Sequence, residues 1–304
     1  MNYQFAFSTL CEEVRSMENP GKVATYIPEL AHVDPHKFGV YLRSLDNQAA
    51  GFGDCTEKFS IQSIAKVLSL SMAYQILGEA LWKRVGVEPS GDPFNSLVQL
   101  EFEKGIPRNP LINAGAIVIC DVLMSELETP QENFLAFIRR LSGIPDLSYS
   151  LHIAESEKAT GYRNASLVNL MKSFGNIHNE VEEVLDLYFK LCSIELSCEE
   201  LSQTFLFLAN GGINPLNGER VITRSKTKRI NAIMQLCGFY DEAGEFSFRV
   251  GIPGKSGVGG GIAAVLPDVY SIVVWSPPLN EKGNSYKGVK FLERFTSLTE
   301  SSIF

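Results

Sequence analysis

The sequence predicts an α+β protein in which one antiparallel sheet with flanking helices is interrupted by a helical lobe. Three observations carry this reading: an alternating segment near the N-terminus, a long helical middle, and short β-rich runs near the C-terminus. In "KFGVYLRSLDNQAAGFGD" (Lys37 to Asp54), apolar and polar residues alternate around the turn-forming pair Asp46–Asn47, as in a β-hairpin. From Phe59 to about Leu208 the pattern is helical, broken at "EPSGDPFN", "GIPRNP" and "SGIPDL", where Pro and Gly cannot continue a helix. "EFSFRVGIP", "SGVGGGIAAVLP" and "VYSIVVWSPP" then read as three strands, followed by a polar helix from about Tyr286 to Leu298. Pairing the hairpin with these strands gives one sheet covered by terminal helices. The chain is then one domain over 1–304, with an α/β lobe from about 1–58 and 215–304 and a helical lobe from about 59–214. The cleft between the lobes is the default site.

Composition narrows the partners. The 304 residues are 45% hydrophobic and 10% aromatic, enough to bury a large core, and no internal repeat or low-complexity tract is visible. With 27 basic against 35 acidic residues the net charge is −8, a surface that repels nucleic acid and anionic membranes and leaves a small molecule as the expected partner. "MNYQFAFSTLCEEVR" has no basic leader and no small-residue cleavage site follows, so a cytoplasmic location is expected. Phe59 to Gly78 is long enough to span a bilayer but carries too many Ser and Gln, plus Lys66. The six cysteines are scattered without CxxC pairs and read as reduced packing thiols. The four histidines have no HExxH-type spacing, and no metal site is expected.

The chemistry concentrates in "FSIQSIAKVLSLSMAYQILG", where Lys66 is the one charged residue and follows Ser63 by three positions. That spacing puts both side chains on one helical face. Spacing alone does not discriminate, because Ser225-Lys226-Thr227-Lys228 matches it inside the charged run "TRSKTKR", a solvated face. Around Ser63, by contrast, apolar residues surround the helix, so the lysine is expected to be buried. Burial lowers a lysine's pKa and suits it to take a proton from a serine hydroxyl, the alternative being a lysine that snorkels to water. Ser63 also sits near the expected helix start, where free N–H groups can hold an oxyanion. Far along the chain, Lys255-Ser256-Gly257 opens a candidate strand. S-x-x-K with a later K-[ST]-G is the arrangement of serine β-lactamases and penicillin-binding proteins, in which the late lysine lines the cleft and would further depress Lys66. The glycines of "GVGGG" fit neither phosphate-loop pattern and imply close backbone approach instead.

No Ser-Asp-Asn triplet occurs, although Tyr162-Arg163-Asn164 fits a Tyr-x-Asn variant found in some β-lactamases. A more specific resemblance comes from ordered blocks: "YIPELA", "FSIQSIAK", "EPSGDPFNSL", "PRNPLINAGAI", "SEKATGYRNASL", "YFKLCSIEL", "LANGGINP", "GERV", "CGFYDEAGEF" and "GIPGKSGVGGGI". From about residue 22 to 288 these resemble the serine-dependent L-glutaminases, with Gly254 standing where Ala is frequent. The resemblance implies a β-lactamase-like fold, hydrolysis of L-glutamine to L-glutamate and ammonia, no metal or organic cofactor, and a homodimer or homotetramer of the compact bacterial type. By position, Ser63 matches the nucleophile, Lys66 its base, Tyr240 a proton-relaying tyrosine, and Val258 the second oxyanion N–H donor. Tyr26, Asn113, Glu157, Asn164 and Tyr188 match the substrate-binding set, which Ser63, Tyr240 and Val258 complete. Their chemistry suits a free amino acid: Glu157 can pair with an α-ammonium, while amides and phenols hold an α-carboxylate. Residue by residue, Asn113 could equally cap a helix, Glu157 and Asn164 lie on a helix surface, and the tyrosines pack in the core. On the residues alone the competing readings are a β-lactam or D-Ala peptide hydrolase and a non-catalytic amino-acid sensor.

Overall fold

The computed structural model describes residues 3–90 and 97–304. The sequence break and family block beginning at Glu88 therefore run partly outside the described residues, at positions 91–96. In chain order the elements are α1 (Tyr3–Ser16), β1 (Gly39–Ser44), β2 (Ala49–Gly53), β3 (Phe59–Ser60), α2 (Ala65–Leu77), α3 (Leu97–Phe102), α4 (Asn113–Glu126) and α5 (Pro130–Ser142). They continue with α6 (Leu151–Ala159), α7 (Tyr162–Ser173), α8 (Val181–Cys192), β4 (Glu195–Leu196), α9 (Cys198–Ala209) and α10 (Arg224–Cys237). The chain closes with α11 (Ala243–Arg249), β5 (Gly254–Ser256), β6 (Gly261–Leu266), β7 (Tyr270–Trp275) and α12 (Tyr286–Thr299). Among the described residues no helix is long and apolar enough to cross a membrane.

Five strands form one antiparallel sheet in the order β2-β1-β7-β6-β5, so the N-terminal hairpin docks on the C-terminal strands as its alternation predicts. The hairpin turns at Asn47, whose φ of 64° is a conformation Asn tolerates better than most side chains. The sheet is buried on both faces, and side-chain alternation divides it between two cores. Val40, Leu42, Ile262, Ala264, Ile272 and Val274 point to the layer made by α1 and α12. Ala263, Val265, Val273 and Trp275 point to the large cluster shared with the helical body. Helix α9 lies against β1, β6 and β7, so this helix of the central segment covers the sheet. It starts with a capping box, Ser197 Oγ accepting from the Glu200 N–H while Glu200 accepts from the Ser197 N–H, a device worth about 1 kcal/mol. β3 and β4 form a separate two-stranded ladder inside the helical segment that its periodicity does not announce.

The late strands differ from the sequence reading in two places. "EFSFRVGIP" is not a strand: Ala243–Arg249 is helical, with Phe246 stacked on Phe239 at a 3.5 Å centroid separation while Phe248 is 91% exposed. Its period-2 pattern of Phe and Val is therefore a coincidence overridden by packing against Phe239. The fifth strand is Gly254–Ser256, so Lys255 and Ser256 belong to β5, and Gly257–Gly260 form the turn into β6 rather than the start of one long strand.

Candidate active site

The site begins at the start of α2. Ser60 ends β3, a 3-10 turn over Gln62–Ile64 follows, and α2 opens at Ala65, placing Lys66 one helical step beyond Ser63. Apolar residues occupy nearly every side of α2, and it is buried from Ala65 to Ser71 before burial fades at Gln75 and Ile76. Gln62 takes a φ of 49°, a left-handed conformation that costs a non-glycine residue on the order of 1 kcal/mol and is held here by two hydrogen bonds. Its Nε2 donates to Ser60 Oγ and to Glu157 Oε1, each at 2.9 Å.

The turn after β5 is pressed against this segment. A Cβ on Gly257 would lie 2.6 Å from Ile61 O, and one on Gly259 would lie 2.3 Å from Ser60 O. Close backbone approach is thus what these glycines permit, and it brings Val258 to the pocket wall beside Ser63. Among the described residues neither the Ser63 nor the Val258 amide N–H has a hydrogen-bond acceptor. Two unpartnered donors bordering one cavity are suited to a developing oxyanion.

Lys66 is 2% exposed, and its Nζ donates to Asn113 Oδ1 at 2.7 Å rather than to Ser63. Asn113 in turn donates through Nδ2 to Asn164 Oδ1 at 2.9 Å. Asn113 opens α4, and here its side chain joins a polar chain instead of capping the helix. Burial pushes the Lys66 pKa from 10.5 down to about 8, opposed by the nearby Cys192 and Glu157. Its ammonium also faces the rings of Tyr188 and Tyr240 at 5.8 and 5.7 Å.

Tyr240 adopts a φ of 56°, the second left-handed non-glycine residue in the site. Burial raises its phenol pKa, and a side-chain hydrogen bond with Ser63 opposes that rise. Lys255, expected to line the cleft, does not: it is fully buried and donates to Gly238 O at 2.9 Å and Ser256 O at 2.6 Å. Its Nζ lies 4.1 Å from the Tyr240 ring centroid. The repulsion between the two lysines falls on Lys255, whose pKa drops well below 10.5 through burial and then through Lys66. Desolvation lowers the Lys66 pKa as expected, and the further depression expected from a second cation does not appear among its causes.

Glu157 on α6 and Asn164 on α7 occupy two different helices, and Glu157 is 8% exposed. Burial pushes the Glu157 pKa up to about 7, offset by Gln62 and then by Lys66. Tyr188 on α8 is buried, whereas Tyr26 is 56% exposed at the mouth. Next to Tyr26, Ile27 packs in a small cluster with Val258 and Leu279, which ties the mouth to the turn after β5. The cavity of about 290 Å³ is lined by eight of the nine anticipated residues, with Lys66 beneath it. It is also lined by Gln62, Arg163 and Cys192, which the sequence reading does not assign to the site. The signal for Gln62 was present, a polar side chain directly before the serine in an apolar run. All six cysteines are free and buried. Among the described residues no group of three or more His, Cys, Asp or Glu side chains is placed to hold a metal ion.

A five-stranded antiparallel sheet with a helical body, and a pocket lined by Ser63 at the turn into a buried helix that carries Lys66, define an enzyme of the β-lactamase-like fold. The chain belongs to the glutaminase family, whose family model, Glutaminase, matches residues 21–304. It is 61% identical over 304 residues to a glutaminase of Saccharophagus degradans, covering 100% of this chain and 99% of that one. It is 56% identical to a glutaminase of Christiangramia forsetii, with 100% of both chains covered. Among solved structures, a probable glutaminase of Bacillus subtilis complexed with 6-diazo-5-oxo-L-norleucine is similar with a TM-score of 0.89 and 31% identity, covering 100% of this chain and 97% of that one. Another structure of a probable Bacillus subtilis glutaminase gives a TM-score of 0.92 at 32% identity, covering 100% and 98%.

Proposed function

We propose that this enzyme hydrolyses L-glutamine to L-glutamate and ammonia through a γ-glutamyl ester on Ser63. The observation that carries the reading is the pocket itself: Ser63 is hydrogen-bonded to a buried tyrosine, two unpartnered amides border the same cavity, and a desolvated lysine lies one helical step behind. Glu157 receives the substrate's α-ammonium. Burial raises its pKa to about 7, and a bound cation lowers it again, so association releases a proton from the fraction of enzyme that holds one.

Lys66 in its neutral form accepts the Ser63 proton as Oγ attacks the side-chain amide carbon. The carbonyl oxygen becomes an oxyanion held by the Ser63 and Val258 N–H groups. As the C–N bond breaks, the Tyr240 phenol protonates the departing nitrogen and recovers its proton from the Lys66 ammonium, returning both groups to their starting states. Water then attacks the ester, giving its proton to Lys66, and the Ser63 alkoxide leaves, is reprotonated and frees glutamate. Lys66 Nζ donates to Asn113 Oδ1, so the amine turns from that acceptor toward Ser63 Oγ to take its proton. A coupled assay for ammonia from L-glutamine tests the reaction. Turnover of a chromogenic cephalosporin without ammonia release, or glutamine binding without turnover, overturns it.

A further inference from the structure

The turn that carries Tyr240 is held from outside the pocket. Residues 277–285, the loop from β7 to α12, contribute nothing to the pocket lining, yet they reach three of its walls. Leu279 exchanges main-chain hydrogen bonds with Lys22 at 3.0 and 2.8 Å, just ahead of the Tyr26 segment, and packs with Ile27 and Val258. A Cβ on Gly260, which ends the turn holding Val258, would lie 2.4 Å from Pro277 Cα. The third wall, the Tyr240 turn, is reached through the side chain of Glu242.

Tyr240–Glu242 is a single 3-10 turn whose first residue is left-handed, with a φ of 56°. A non-glycine residue keeps such a conformation only where its surroundings enforce it. Glu242 is half-buried, and both of its oxygens are engaged by the loop. Asn280 Nδ2 donates to Oε1 at 2.9 Å and to Oε2 at 3.0 Å, and Asn284 Nδ2 donates to Oε2. Hydrogen bonds to a carboxylate are stronger than those between neutral groups. Asn280 Oδ1 meanwhile accepts from the Lys282 and Asn284 N–H groups at 3.0 Å each, which closes the loop on itself. Asn284 is fully buried and its Oδ1 has no donor among the described residues, a cost that its contact with Glu242 offsets. The Asp241–Lys282 pair joins the same two segments but is partly exposed and contributes little.

We propose that Glu242 is a positioning residue: the clamp of Asn280 and Asn284 on its carboxylate fixes the turn that aims the Tyr240 phenol at Ser63. The inference rests on the reading of Tyr240 as proton donor to the departing nitrogen. Glu242 does not line the pocket, so opening the clamp slows proton delivery without weakening substrate binding.

The test is ammonia release from L-glutamine by Glu242→Ala and by Asn280→Asp, each alone and combined with Tyr240→Phe. Asn280→Asp keeps the oxygen that closes the loop but sets a second carboxylate against Glu242, so it opens the clamp and leaves the loop turn in place. Each single variant lowers kcat about tenfold and keeps KM within about twofold of the native value. In the Tyr240→Phe background neither variant costs more, because the phenol they aim is already gone, whereas a general loss of structure would add to that of Tyr240→Phe. Native kcat in both single variants, a rise in KM that accounts for their loss, or a full further loss in the Tyr240→Phe background overturns the proposal. Native kcat in Tyr240→Phe overturns instead the reading of Tyr240 as the donor, and the proposal with it.

Discussion

Ser63-x-x-Lys66 and Ser225-x-x-Lys228 share one spacing and differ in almost everything around it. The first runs from a 3-10 turn into α2, which packs against α4, α8 and α10, and Lys66 is desolvated until its pKa approaches 8. The second lies on the first turns of α10, where Ser225 and Lys228 are exposed. Between its two motif residues, Lys226 donates to Tyr74 O at 2.9 Å and Gln75 O at 3.3 Å, the last-turn carbonyls of α2. The second motif thus caps the helix that carries the first. Helical spacing sets which side chains are neighbours, and burial sets whether a lysine is a counter-ion or a base.

The comparison breaks most visibly by mutation. Ser63→Ala and Lys66→Ala should each lower kcat at least about 10³-fold, whereas Ser225→Ala should leave it unchanged, measured by ammonia release. Tyr240→Phe should fall between them, with a loss of about 10²-fold or more, if the phenol protonates the leaving nitrogen as proposed.

pH sharpens the same contrast. Burial lowers the Lys66 pKa to about 8, so its proton-accepting form grows as pH rises through that value. Burial raises the Glu157 pKa to about 7, so the carboxylate that pairs with an ammonium also grows with rising pH. kcat/KM should therefore climb steeply below pH 7, less steeply to about 8, and then level. Glu157→Gln should remove the lower titration and raise KM on the order of tenfold through the lost charge-assisted contact. The smallest effect belongs to the exposed motif: Lys226→Met should lower Tm by about 2 °C through the lost α2 cap, with kcat unaltered.

Much of the architecture was legible because it rests on short-range chemistry. Alternation around Asp46–Asn47 marked the hairpin, and the apolar run after Phe59, with Lys66 its one charge, marked a buried helix. The failures share a cause, long-range packing. "EFSFRV" alternates like a strand, yet the ring of Phe239 draws Phe246 into a helix. The left-handed turns at Gln62 and Tyr240 leave no compositional trace, although they aim the groups around Ser63. The Lys-Ser-Gly motif implies a cleft cation at Lys255, but main-chain carbonyls of Gly238 and Ser256 draw its ammonium against the Tyr240 ring. Most of the pocket residues were legible through ordered sequence blocks, since no periodicity links Tyr26 to Val258.

Burial of Lys66 is what we propose makes Ser63 the nucleophile. Rapid quenching of turnover with L-glutamine, followed by peptide mass analysis, tests it directly. One glutamyl group is expected on the peptide containing Ser63, with less of it below pH 7 and none in Lys66→Ala. Full turnover with an unmodified Ser63 peptide, or a glutamyl group on another residue, would contradict it.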